Sequence, residues 1–180
     1  MPVESFLNRL TPALGTSGPP ARGCRRLRRD TIVAAPLAET FEFFADAFNL
    51  ERLTPPWLNF KIRTPRPIAM REGLVIDYRI ALHGVPMPWR SRIEVWEPGV
   101  RFVDRQVIGP YRWWRHEHRF EAARDGTRVV DDVEFAARVA WATGLFVERE
   151  LERIFTFRQE ALRRIFGPGA GVGRATRPQP

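Results

Sequence analysis

From Trp57 to Arg138 apolar and polar residues alternate in short runs, broken by turn-forming pairs at Pro65-Arg66-Pro67, His83-Gly84, Pro98-Gly99, Gly109-Pro110 and Asp125-Gly126. A period of two with breaks so close together predicts strands at 58–64, 74–83, 86–96, 101–108, 112–123 and 127–138. Short connections make consecutive strands antiparallel neighbours, and Asp125-Gly126 is the strongest hairpin signal among them. An earlier strand is expected at 26–35. Pro36 then fits the first turn of a helix, where its missing N–H is not needed. Phe41, Phe44, Ala45 and Phe48 recur at three- and four-residue steps through Glu39–Asn49, giving that helix an aromatic face. A second short helix, Leu50–Leu53, stops before Thr54-Pro55-Pro56.

The last periodic stretch, Leu145–Phe166, carries Val147, Leu151, Ile154, Phe155, Ala161, Leu162 and Ile165 as one apolar stripe. Glu148, Glu150 and Glu152 lie early and Arg163 and Arg164 late, as the helix dipole favours. At 1.5 Å per residue the helix is about 33 Å long and can span a sheet. Residues 1–25 are dense in Pro and Gly and are expected to form a flexible arm, and 167–180 a disordered tail, leaving one domain at 26–166. The order is strand, two helices, six antiparallel strands, long helix. It predicts an α+β architecture: a curved seven-stranded antiparallel sheet wrapped around the C-terminal helix, with a pocket where sheet and helix diverge.

With 180 residues, 44% of them hydrophobic, the chain suffices for one domain with a real core. No apolar run approaches the roughly 20 residues of a membrane-spanning helix, and no charged segment leads into an apolar block at the N-terminus, so a cytoplasmic location is expected. A single cysteine, Cys24, excludes an internal disulfide and any multi-cysteine zinc site. The formal charge of +8 raises nucleic acid and anionic membranes as partners. Most of the arginines, however, alternate with apolar or acidic residues along strands, which describes a solvated outer face. The cluster Arg22–Arg29 is read as a basic edge strand in preference to a phosphate contact. Nucleic acid is therefore not an expected partner, and nothing supports peripheral membrane contact. Gly167–Gly173 is glycine-rich but has no strand before it or helix after it, so it is not a phosphate loop.

The stretch Phe102–Phe120 concentrates the candidate chemistry. Two of the three histidines, His116 and His118, lie there, on the same side of a strand as Trp114 and Phe120. With Asp125-Gly126 as a two-residue turn, Arg124 pairs with Thr127, Phe120 with Asp131 and His118 with Val133. With Gly109-Pro110-Tyr111 as a three-residue turn, Asp104 stands beside His116 and Gln106 beside Trp114; a turn one residue longer or shorter turns them to the other face. The resulting inward cluster is Asp104, Gln106, His116, His118 and Asp131, walled by Tyr78, Trp89, Phe102, Trp114 and Phe120. Polar groups in an apolar cavity must pair with one another or with a ligand, and the sequence leaves both readings open. His-x-His with Asp104 offers three metal-ligating types, but two same-face histidines are a weak signal and no metal or other cofactor is assigned. A His–Asp pair with Tyr78 as proton donor would suit general acid–base chemistry. No serine or cysteine lies in a nucleophile motif, and the aromatic side chains suit ordinary strand packing as well as ligand stacking.

Several segments resemble the SRPBCC (START/Bet v 1-like) superfamily, and within it a bacterial subgroup of largely uncharacterised ligand-binding proteins related to polyketide cyclase/dehydrase-like proteins. They are Asn49-Leu50-Glu51-Arg52-Leu53-Thr54-Pro55-Pro56-Trp57-Leu58, Asp77-Tyr78-Arg79-Ile80 with Trp89, and Phe102-Val103-Asp104-Arg105-Gln106. Gly109-Pro110-Tyr111, Trp114, His116, His118, Phe120, Gly126-Thr127 and Asp131 complete the set. The likeness covers about residues 26–166. It departs where the subgroup usually places a proline-glycine corner after the last strand: Ala136-Ala137-Arg138-Val139-Ala140-Trp141 has no proline. The resemblance implies the helix-grip fold and a cavity for a hydrophobic small molecule or lipid between sheet and C-terminal helix. The alternative it suggests is a cyclase- or dehydratase-like enzyme using His116 or His118 with Asp104 or Asp131 on a polyketide-like substrate. Fold resemblance does not decide between them, nor does it give the oligomeric state.

Overall fold

The computed structural model describes residues 23–137 and 144–168. Strand β1 (Arg25–Val33) leads into helix α1 (Leu37–Ala45), a 3-10 turn (Ala47–Asn49), helix α2 (Leu50–Leu53) and a second 3-10 turn (Pro56–Leu58). Six strands follow: β2 (Lys61–Ile62), β3 (Val75–Leu82), β4 (Val85–Glu97), β5 (Arg101–Ile108), β6 (Tyr111–Ala123) and β7 (Gly126–Ala137). Helix α3 (Gly144–Phe166) closes the fold. The strands form one antiparallel sheet in the order β1-β7-β6-β5-β4-β3-β2, which is the seven-stranded helix-grip arrangement expected from the sequence. The chain enters at one edge, and its two short helices carry it to the other edge before the meander returns. Most of the proline-less segment 136–141 lies outside the described residues, which omit 138–143, as well as 1–22 and 169–180, which hold nearly all of the expected arm and tail.

Four boundaries differ from the sequence expectation, each for a local reason. The aromatic helix ends at Ala45 because Asp46 turns extended and accepts a hydrogen bond from the Phe48 amide at 2.9 Å, offering the backbone a competitor to the helical ladder. Only Lys61–Ile62 of the expected strand 58–64 keeps a regular ladder, since Asn59 adopts a left-handed conformation before it (φ 42°) and the Arg63 and Thr64 amides after it both donate to the Asp77 carbonyl, at 2.7 and 3.3 Å. Arg25, assigned to the arm, already pairs with Phe135. Gly167 and Pro168, assigned to the tail, are tied to the end of β1, the Ala34 amide donating to the Gly167 carbonyl at 3.3 Å.

The β6–β7 hairpin turns one residue earlier than Asp125-Gly126 suggests. Arg124 and Asp125 form its loop, Ala123 opposes Gly126, and the register runs Phe120 to Val129 and His118 to Asp131. Gly126 starts the strand with φ 136°, and a Cβ there would lie 2.0 Å from the Val33 carbonyl oxygen, so the position admits glycine alone. The shift from the expected register is two residues. Side chains alternate with period two, so every inward residue keeps its face.

The two faces of the sheet differ sharply. Outward arginines interleave with carboxylates: Arg26 with Asp132 at 2.7 Å, Arg105 and Arg115 with Glu94 at 3.3 and 3.2 Å, and Arg101 with Glu97 at 2.9 Å. Arg105 also lies over the Trp113 ring, 4.7 Å from its centroid. This is the solvated arginine face inferred from the alternation, and β1 is the basic edge strand. The inward face buries Leu27, Val33, Val129, Val133 and Phe135 against Leu151, Phe155, Ala161 and Leu162 of α3. Each of these valine, leucine and phenylalanine side chains contributes about 1.5–3 kcal/mol on burial. Phe41 and Phe44 of α1 join Phe102 and Phe120 of the sheet in the same cluster as Val33, Val129, Ala161 and Leu162, with Phe44 and Phe120 rings 5.0 Å apart and edge to face.

Candidate ligand-binding site

Where α3 and the short helices stand away from β3–β6, a cavity of about 170 Å³ remains. Its walls are mostly apolar: Ile76, Tyr78, Ile80, Trp89 and Trp114 from the sheet, Leu50 and Leu53 from α2, and Leu151, Ile154 and Phe155 from α3. At one end Trp89 packs edge against face on both Tyr111 and Trp114, its centroid 5.2 Å from that of Trp114 at 87°, while Tyr111 and Trp114 lie tilted 4.8 Å apart. One wall is polar, formed by Ser91 of β4, Asp104 of β5 and His116 and His118 of β6.

The strand register builds this wall. Asp104 opposes His116 and Phe102 opposes His118, the register expected from the sequence. The two imidazoles, two residues apart on one strand, lie with ring centroids 3.8 Å apart. Behind them, Asp131 of β7 is 1% exposed and meets both: its Oδ1 is 3.0 Å from His116 Nε2 and 2.8 Å from His118 Nδ1. Facing the cavity, Asp104 Oδ2 is 3.7 Å from His116 Nδ1 and 3.6 Å from His118 Nε2. The other oxygen of Asp104 accepts from Ser91 Oγ at 3.1 Å, and Ser91 accepts from Trp89 Nε1 at 2.9 Å. Arg158, from the middle of α3, sets its Nε 3.2 Å from Asp131 Oδ2.

The protons follow from these distances. A carboxylate oxygen and a ring nitrogen 2.8–3.0 Å apart need a hydrogen between them, so His116 carries it on Nε2 and His118 on Nδ1. Arg158 Nη2 at 3.3 Å from His118 Nδ1 therefore finds an N–H there and not a lone pair. Burial disfavours a charge on His116, and the neighbouring His118 adds to this, pushing its pKa down to about 4 against the pull of Asp131. Burial also opposes ionisation of Asp131, but Arg158 and the two imidazoles outweigh it and hold the carboxyl well below its usual range. Asp104 is lowered in the same way, its burial overcome by His118 and His116. Burial and the Asp104 and Asp77 carboxylates push the Tyr78 phenol far up.

Of the residues expected from the sequence, Tyr78, Trp89, Phe102, Asp104, Trp114, His116 and His118 line the cavity. Asp131 lies one layer behind, against the histidines. Phe120 shares their face but is packed under α1 with Phe41 and Phe44. Gln106 does not pair with Trp114: the β5–β6 ladder stops at Arg105 and Arg115, and Gln106 opposes Ser91 of β4. Its amide folds over the turn, Nε2 donating to the Tyr111 carbonyl at 2.8 Å and Oε1 accepting from the Tyr111 amide at 3.3 Å. Tyr111, Ser91 and Arg158 are site residues that the sequence reading did not select. Arg158 was visible, since it falls three and four residues from Phe155, Ile154, Ala161 and Leu162, on the buried stripe itself.

Residues 74–166, just over half of the chain, match the family described as Domain of unknown function (DUF8410). No curated protein matches the sequence. Among solved structures, protein CV1439 from Chromobacterium violaceum superposes with a TM-score of 0.65 at 14% identity, over 80% of this chain and 99% of that one. The Zhui aromatase/cyclase from Streptomyces sp. R1128 gives 0.62 at 21% identity, over 79% and 96%. Ara h 8.0201 gives 0.54 at 15% identity, over 79% and 99%. These likenesses concern the fold, the Bet v 1-like helix grip of the SRPBCC superfamily, and among the described residues no helix is long and apolar enough to cross a membrane. The chain belongs to the DUF8410 family.

Proposed function

We propose that the protein binds a hydrophobic small molecule in the cavity between sheet and α3, with a polar group of the ligand set against Asp104, His116 and His118. The observation that carries this reading is the contrast within one enclosure: apolar walls on most sides, and three convergent polar side chains on one. Such a site draws its affinity from apolar burial and its orientation from a few fixed polar groups. The volume of about 170 Å³ is below the roughly 300–1,000 Å³ of sites for drug-sized molecules, so a compact ring system suits it better than a long acyl chain. Native mass spectrometry of the purified chain, with solvent extraction of what it carries, tests the proposal. An apolar molecule retained or bound in one equivalent supports it. A protein that neither retains nor binds any member of a panel of compact aromatic and lipid probes overturns it.

One observation favours a second reading. Imidazole nitrogens face the cavity with a carboxylate on either side, the elements of general acid–base catalysis in a cyclase- or dehydratase-like enzyme. The aromatase/cyclase named above shares the fold, which is an analogy of scaffold only. On this reading, replacing His116 or His118 abolishes turnover of a polyketide-like substrate while ligand affinity stays largely intact; equal loss of binding and folding favours the noncatalytic reading.

A further inference from the structure

We infer that Asp104, His116 and His118 form a binding site for one divalent transition-metal ion of the zinc class, with its open positions toward the cavity. The sequence assigns no metal here, because two histidines on one strand face say nothing about distances. The structure supplies them. One ligating atom from each of the three residues lies within 4.8 Å of the others. Asp104 Oδ2 stands 3.7 Å from His116 Nδ1 and 3.6 Å from His118 Nε2. Two donors each bonded to one ion at about 2.1 Å in a tetrahedral set stand roughly 3.4 Å apart, so small side-chain movements close the site.

Three further features point the same way. First, the donors are aimed. Asp131 takes one ring nitrogen of each imidazole at 3.0 and 2.8 Å, which leaves His116 Nδ1 and His118 Nε2 facing Asp104. A carboxylate behind a histidine, fixing its tautomer and ring, is the usual outer support of a metal-bound imidazole. Second, His116 Nδ1 and His118 Nε2 stand 3.7 and 3.6 Å from Asp104 Oδ2, beyond direct hydrogen-bond distance, so the three donor atoms surround a gap that they do not close among themselves. Arg158 also lines the cavity but is directed at Asp131, and so compensates the supporting carboxylate. Third, the Asp104 oxygen not used for the ion is held by Ser91, itself fixed by Trp89, which presents Oδ2 to the histidines. Two imidazoles and one carboxylate suit zinc, cobalt or ferrous ions better than magnesium or calcium, which prefer all-oxygen sets. All three residues line the cavity, so the remaining coordination positions open onto the space assigned to a ligand.

The site uses the same three side chains that the hydrophobic-ligand reading sets against the ligand, but it is tested with the ions alone, so the two readings fail separately. The full chain, stripped with a chelator and dialysed, is titrated with Co²⁺ while its visible absorption is followed, and then with Zn²⁺ in competition. One equivalent is expected, with Zn²⁺ displacing Co²⁺. Two-bond proton–nitrogen spectra of the histidine rings should show His116 Nδ1 and His118 Nε2 shifting on Zn²⁺ addition while the opposite nitrogens keep their protons. Asp104→Asn keeps the side-chain shape and removes the ionic ligand; it should weaken Zn²⁺ roughly tenfold or more with the thermal midpoint retained. Cys24→Ser and His83→Gln should change nothing. Absence of stoichiometric binding, binding unchanged in Asp104→Asn, or binding lost in Cys24→Ser or His83→Gln would overturn the assignment.

Discussion

Arg158 of α3 and Asp131 of β7 form a buried ion pair, Nε to Oδ2 3.2 Å, that joins the long helix to the sheet directly behind the two histidines. Burying two charges is costly, and breaking such a pair costs more than the pair is worth, because one charge remains uncompensated. Arg158→Met should therefore destabilise the fold by about 3–5 kcal/mol in urea unfolding. Adding Asp131→Asn to that variant should recover part of the loss by removing the orphaned carboxylate. An Arg158→Met protein within about 0.5 kcal/mol of the parent would show that the contact carries no such weight.

The same pair marks the limit of what the sequence displays. The period-two alternation gives the inward faces of β6 and β7, and parity survives the two-residue error in the hairpin register, so Trp114, His116, His118 and Phe120 point inward as expected. The expected pairing of Asp104 with His116 likewise holds, although the ladder ends at Arg105 and Arg115, before the turn. Periodicity cannot tell which inward residues meet a cavity and which meet a helix. Phe120 meets α1, and Asp131, four residues beyond Thr127 on the strand beside β6, ends behind the histidines. Nor does the pattern show where the β5–β6 ladder ends, and Gln106, expected in the polar cluster, lies just past that end with its amide bonded to the Tyr111 backbone.

Gln106 should behave as a turn residue. Its amide makes both hydrogen bonds to the Tyr111 backbone, and a Cβ at Gly109 would lie 2.3 Å from its Oε1. Gln106→Ala should cost about 1–2 kcal/mol of stability through the lost pair of bonds. Probe affinity of the folded variant should fall far less than in Asp104→Ala. Comparable losses of affinity in the two variants would return Gln106 to the site.

Gly126 and Gly99 offer a controlled comparison of backbone strain with steric collision. Both have positive φ, 136° and 75°, but a Cβ at Gly99 meets nothing within 4 Å, whereas at Gly126 it meets the Val33 carbonyl oxygen at 2.0 Å. Gly99→Ala should cost about 1 kcal/mol from the left-handed conformation alone. Gly126→Ala should cost clearly more and loosen the join between β1 and β7, visible as faster amide exchange at Val33 and Thr127. Equal melting temperatures for the two variants would contradict the close approach.

The chain has two tyrosines, Tyr78 and Tyr111, and both phenols are pushed above their ordinary pKa by burial, with Asp104 and Asp77 adding to the shift at Tyr78 and Glu150 at Tyr111. A raised folded-state pKa favours the protonated form. The stabilisation is complete below the unfolded value of about 10 and is lost as pH rises beyond it, because the unfolded chain then releases protons that the native chain retains. Alkaline titration followed by phenolate absorbance should show no ionisation around pH 10 while the fold persists, then release of both protons together with the loss of tertiary circular dichroism. Either tyrosine titrating reversibly near its free value in the native protein would mean that its ring is open to water. For Tyr78 that would also weaken the case for an enclosed, largely apolar cavity.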